Sequence, residues 1–214
     1  MLIIFDLDGT LFQAKPIAEL IGRDFSSFES LERLTAALKK CGKLFPGVYE
    51  MLSQLRKAGH NMVICSKSQS VYVDLVLEQM GIAEFFTDRF STDGESSKVG
   101  LVKEIIYTIL AGETDFVGGT CCVRDVDLTV NSDLTREGVE GAVVIGDTHW
   151  DISSAKENGL SSIAAMYGYG NKSMLSDADY FADSPSEIPT IVDEINAKKC
   201  CEIIPRKPGK INLR

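Results

Sequence analysis

The stretch IIFDLDGTLF, residues 3–12, puts Asp6 and Asp8 two positions apart at the end of an apolar run. Like charges this close repel, and each raises the other's proton affinity. Other polar residues stand at comparable places: Ser66 closes NMVICS (61–66), Asp147 closes GAVVIGD (141–147), and Lys98 opens KVGLVKEIIYTIL (98–110). A carboxylate can act as a nucleophile, and a second carboxyl beside it can give and then take a proton. Oxygen donors in such a group also suit a hard cation such as Mg²⁺. A metal and a lysine would compensate two carboxylates that share a site and divide its tasks.

The elements that would assemble these residues are legible as patterns. LIIFD, NMVICS and GAVVIGD are continuous apolar runs rich in β-branched residues, as expected of strands buried on both faces of a parallel sheet. Helical spacing follows in 47–59, 70–81 and 98–110, with Val48, Met51, Leu52 and Leu55 on one face of the first. Alternating strand and helix predict an α/β fold, a doubly wound parallel sheet with helices on both faces. Runs at 161–168 and 178–184 are candidates for edge strands. In such sheets ligands bind beyond the carboxyl ends of the strands, the rim where Asp6, Ser66 and Asp147 fall. Two further helices, about 16–24 and 27–41, interrupt the rhythm straight after the first strand and read as a small helical cap. The division is a core of 1–12 and 45–197, a cap of 13–44 and a basic, proline-bearing tail of 198–214 whose expected state is a loosely ordered terminus. Residues 111–140 carry glycines and charges without periodicity and read as loop with a hairpin.

Composition narrows the function classes. The 214 residues are 44% hydrophobic and 25% charged, an ordinary globular balance. A formal net charge of -9 argues against nucleic acid or an anionic membrane as partner. No apolar run approaches the roughly 20 residues that span a bilayer, and no basic segment precedes the first apolar run. Of the six cysteines, Cys121–Cys122 and Cys200–Cys201 are adjacent pairs, and with only His60 and His149 present there is no zinc spacing. Reduced thiols and a cytoplasmic location are expected.

DLDGT at 6–10, the strand ending in Ser66, the isolated Lys98 and GDTHWD at 146–151 resemble the four motifs of the haloacid dehalogenase (HAD) superfamily of phosphohydrolases. LFPGVYEMLSQLRKAG, EQMGIAEFFTDRF and AKENGLSSIAAMYGYG resemble its phosphoglycolate phosphatase branch. The likeness covers roughly 1–12, 44–110 and 141–195. It implies a Rossmann-like core and a Mg²⁺-dependent phosphatase acting on a small phosphomonoester through an aspartyl-phosphate. Asp6 would be the nucleophile and Asp8 the general acid/base. Ser66, Lys67 and Lys98 would hold the phosphoryl group. Asp6 and Asp147, with the backbone carbonyl of Asp8, would hold the metal, and Asp151 would order a metal-bound water or hold Lys98.

Plainer roles stand beside several of these. Ser66 can cap the following helix, Lys67 can be a solvated surface lysine, and Asp151 can serve the dipole of a helix start. His149 and Trp150 can touch substrate or pack at that start, and Tyr167 and Tyr169 read as loop packing. Haloacid dehalogenation needs no metal and gives Asp8 no task. A phosphomutase needs a well-developed cap, and the short stretch at 13–44 counts against it while leaving room for larger substrates. A non-catalytic binding module on the same fold is the remaining alternative. Oligomeric state is open.

Overall fold

The computed structural model describes residues 1–22, 27–92, 97–110 and 141–202. The hairpin expected within 111–140, the Cys121–Cys122 pair and residues 203–214 of the tail lie outside them. Six parallel strands form one sheet: β1 (Leu2–Phe5), β2 (Asn61–Ser66), β3 (Asp88–Ser91), β4 (Ala142–Gly146), β5 (Ser161–Ala165) and β6 (Tyr180–Ala182), in the order β3-β2-β1-β4-β5-β6. The three apolar runs are the three central strands, and β1, flanked by β2 and β4, is completely buried. β5 is interior rather than an edge, since it pairs with both β4 and β6. β3 was not expected from its residues. It pairs only with β2, and Asp88 and Arg89 are exposed, so an edge position relieves it of the apolar pattern that marks a buried strand.

Seven helices among the described residues surround the sheet: α1 (Ala14–Ile21), α2 (Phe28–Cys41), α3 (Val48–Lys57), α4 (Ser70–Gln79), α5 (Lys98–Leu110), α6 (His149–Glu157) and α7 (Ile188–Glu202). Side chains alternate across a strand, and the sheet sorts them cleanly. Ile3 and Phe5 join one core cluster with Leu52 of α3, Val76 of α4 and Val192 of α7. Leu2 and Ile4 join another with Val102 and Ile105 of α5 and Ala155 of α6. Both faces are therefore covered, which is why β1 has no polar alternation. No described helix is long and apolar enough to cross a membrane.

The stretch after β1 leaves and returns at one point. Phe12 bridges Leu44, the Gln13 amide donates to the Lys43 carbonyl and the Phe45 amide to that of Leu11. α1 begins and ends earlier than its spacing suggests, because Gly22 closes it with a φ of 79°. α2 begins with Ser27 as its N-cap, where Ser27 and Ser30 exchange side chain-to-amide hydrogen bonds. Ile17, Leu34 and Leu38 of this pair are buried in the same cluster as the β1 side chains, and α2 packs against α4. At the other end, α7 runs past the expected boundary at 197 to Glu202.

Candidate active site

Register sets the rim. Phe5 pairs with both Ile64 and Ile145, so Asp6 stands level with Cys65 and Gly146, and the chain breaks away from all three strands at nearly one height. The Asp6 amide still donates to the Ile145 carbonyl at 2.9 Å, which ties the start of the turn after β1 to the sheet. Asp6 Oδ2 accepts the Thr10 hydroxyl at 3.3 Å, and Oδ1 accepts Lys98 Nζ at 2.5 Å. Lys98, the first residue of α5, is 5% exposed and is also paired with Asp151. It is therefore no solvated surface lysine.

Asp147 follows β4 and is held by the loop that follows β5. Its Oδ2 accepts the amides of Tyr169 and Gly170 at 2.7 and 3.0 Å. This approach needs glycine: a Cβ on Gly170 would lie 1.6 Å from the Asp147 carbonyl oxygen. Gly9 closes the other side, with φ at +96° and no room for a Cβ beside the Asp147 carboxylate. Asp151 uses its two oxygens separately. Oδ2 accepts the Thr148 amide at 3.0 Å and the Thr148 hydroxyl at 2.6 Å, ordering the first turn of α6, while Oδ1 faces Lys98.

Asp6, Asp147 and Asp151 are all buried, with ligand oxygens within 4.8 Å of one another. Three carboxylates share one ammonium, and the electrostatics record the deficit. Burial pushes Asp6 up to about 8; Lys98 opposes that shift, and Asp151 and Asp147 add to it. Burial likewise pushes Asp147 up to about 6 against the pull of the Tyr169 amide. Burial alone would lower the pKa of Lys98, but Asp151 and Asp6 outweigh it and hold the lysine charged. Asp147 Oδ1 is buried and has no hydrogen-bond partner among the described residues. An orphaned carboxylate oxygen, in an all-oxygen set short of positive charge, is the arrangement that a hard divalent cation fits.

The remaining expected residues meet less closely. Ser66 is buried, and its hydroxyl accepts the Ser68 amide at 3.1 Å, a local turn contact. Lys67 is exposed, with its ammonium 5.7 Å from the centroid of the Trp150 ring. Trp150 is itself 55% exposed and packs on His149 at 4.3 Å. Asp8 accepts hydrogen bonds from Ser68 Oγ and Tyr72 OH. Neither donor stood out in the sequence. Nor did the Tyr169–Gly170 amides or Thr10, although the glycines of YGYG were a usable signal that backbone must come close to something.

Residues 22–159 match the family of haloacid dehalogenase-like hydrolases. The chain is 28% identical to a phosphoglycolate phosphatase of Vibrio parahaemolyticus over 153 residues, which are 70% of this chain and 56% of that protein. It thus spans little more than half the length of that relative. Among solved structures it is similar to a predicted phosphatase from Clostridium acetobutylicum (TM-score 0.62, 22% identity, covering 90% of this chain and 98% of that one). It is similar also to CbbY from Rhodobacter sphaeroides, solved in complex with phosphate (TM-score 0.61, 16% identity, covering 87% and 95%). At those identities the structural likeness speaks for the fold alone, and it is the match over 22–159, with Lys98, Asp147 and Asp151 inside it, that decides the family. The chain belongs to the haloacid dehalogenase-like hydrolases.

Proposed function

We propose that this chain is a Mg²⁺-dependent phosphatase that hydrolyses a small phosphomonoester through an aspartyl-phosphate on Asp6. The observation that carries the reading is the convergence of Asp6, Asp147, Asp151 and Lys98 in one buried cluster at the carboxyl edge of the sheet. Asp6 and Asp147 would hold the ion with the Asp8 carbonyl, and the ion would supply the positive charge that lets a phosphate approach these carboxylates. The bare Asp147 oxygen favours this over haloacid dehalogenation, which needs no metal.

The rest of the chemistry falls to the chain. Asp6, first off β1, attacks phosphorus. Lys98 neutralises its carboxylate and stays charged to meet the phosphoryl oxygens. Ser66, with Lys98, holds the transferring group, and Lys67 is a further phosphate-binding lysine. Asp8 protonates the leaving oxygen and later deprotonates the attacking water. Asp151 anchors Lys98. Residues 13–44 act as a small cap over the core formed by 1–12 and 45–197, and substrate choice rests with them.

The test is phosphate release from a panel of phosphomonoesters that includes phosphoglycolate, the ester named by the curated relatives. It is run with Mg²⁺ and with chelator, on the wild type and on Asp6→Asn. The expected result is metal-dependent release that falls by on the order of 10⁴-fold or more in the variant. Release that persists in chelator, or in a folded Asp6→Asn protein, removes the mechanism.

A further inference from the structure

Asp8 is gripped at both oxygens by hydroxyls from one short segment. Tyr72 OH donates to Oδ1 at 2.7 Å and Ser68 Oγ to Oδ2 at 2.8 Å. Ser68 lies in the turn after β2, and Tyr72 lies in the first turn of α4. The tyrosine is 4% exposed, and its ring belongs to the apolar cluster that contains Val73 and Val76. Packing at that position asks only for an aromatic ring, which phenylalanine would supply. The hydroxyl at its end serves Asp8. α4 is itself braced by α2, so the tyrosine hydroxyl stands on a packed helix, whereas Ser68 brings its hydroxyl from the turn, where it can donate or accept.

We propose that Tyr72 and Ser68 are positioning residues that fix the Asp8 carboxyl for proton transfer to the leaving group, an inference that rests on the reading of Asp8 as general acid/base. In the first step an Asp6 oxygen bonds to phosphorus, the ester P–O bond breaks, and its electron pair goes to the leaving oxygen, which takes the Asp8 proton. In the second, water bonds to phosphorus and gives a proton to Asp8. The Asp6–phosphorus bond then breaks, and Asp6 returns as a carboxylate. Asp8 must face the same small region in both steps. Tyr72 sets the plane of the carboxyl at Oδ1, and the rotatable Ser68 hydroxyl accommodates Oδ2 with or without its proton.

This division makes a prediction that loose packing does not. An alkyl alkoxide is a poor leaving group and needs the proton, whereas 4-nitrophenolate departs unaided. The readout is the ratio of kcat/KM for an alkyl ester to that for 4-nitrophenyl phosphate. The alkyl ester is phosphoglycolate, or whichever alkyl member of the panel turns over fastest. Tyr72→Phe is expected to lower the ratio about 10-fold, and Ser68→Ala about 3-fold, each a fraction of the roughly 10²–10⁴-fold general acid contribution that Asp8→Asn forfeits. If Asp8→Asn lowers the ratio while both hydroxyl variants leave it unchanged, or if either variant raises it, the positioning role is wrong and the reading of Asp8 stands. If Asp8→Asn itself leaves the ratio unchanged, the reading of Asp8 falls, and this inference falls with it.

Discussion

Asp6, Asp147, Asp151 and Lys98 illustrate how much of a site single residue types can announce. A carboxylate at the end of a buried strand has few structural reasons to exist, so Asp6 and Asp147 stood out as candidates for chemistry, whereas Asp151 also fitted a plain helix-start role. What residue identity could not convey was the degree of burial. Lys98, an isolated lysine in the sequence, is enclosed between Asp6 and Asp151. Lys98→Ala would strip the only positive partner that the described residues show for these carboxylates. We expect it to cost about 3–5 kcal/mol of stability, because breaking a buried pair leaves uncompensated charge. Urea unfolding of the metal-free protein at neutral pH measures it, and an unchanged midpoint would mean that the carboxylates are neutralised some other way. His60 offers a contrast at the same scale. Its ring nitrogens are buried and have no hydrogen-bond partner among the described residues, and burial lowers its pKa below the ordinary 6.5. The unfolded chain then binds a proton at a pH where the folded one does not. Stability from this residue is full above 6.5 and is lost as pH falls from 6.5 through the folded value. His60→Gln should flatten that part of the stability–pH curve, as followed by denaturant unfolding between neutral and mildly acidic pH.

At the scale of elements, register and loop approach do the work. β1, β2 and β4 end together because Phe5 pairs with Ile64 and Ile145, and the loop after β5 folds back over Asp147. That loop was read as packing, and its glycines prove to be the reason two amides can reach one carboxylate oxygen. Gly170→Ala forces its new methyl into the Asp147 backbone. It should destabilise the protein by about 1–3 kcal/mol as an overpacked substitution and weaken metal binding as well. Thermal unfolding with and without Mg²⁺ checks both effects, and a variant with wild-type behaviour in each would show that the loop relaxes at no cost. β3 shows the opposite kind of failure. An edge strand with Asp88 and Arg89 outward has no need of the apolar run that identifies a central strand, so its sequence resembles a loop.

Across the whole molecule, folding and metal binding should be linked. The unfolded chain has no preformed cluster, so an ion that binds the folded state stabilises it by about 2.7 kcal/mol at a hundredfold excess over Kd. Mg²⁺ is therefore expected to raise Tm, and Asp147→Asn to abolish most of that rise. Equal shifts in both proteins would take Asp147 off the ligand set without touching the fold. The sequence by itself determined the parallel α/β architecture, since only strands covered on both faces tolerate unbroken apolar runs such as LIIF and AVVI. It also determined which polar residues end those strands. Tertiary structure alone decided which partners meet those residues: that Asp151 caps a helix and holds Lys98 with separate oxygens, and that Tyr72 reaches Asp8 from 64 positions away. The reason is physical. Periodicity reports the environment of a residue along its own element, whereas a hydrogen bond between elements depends on their register and approach, which no local pattern encodes.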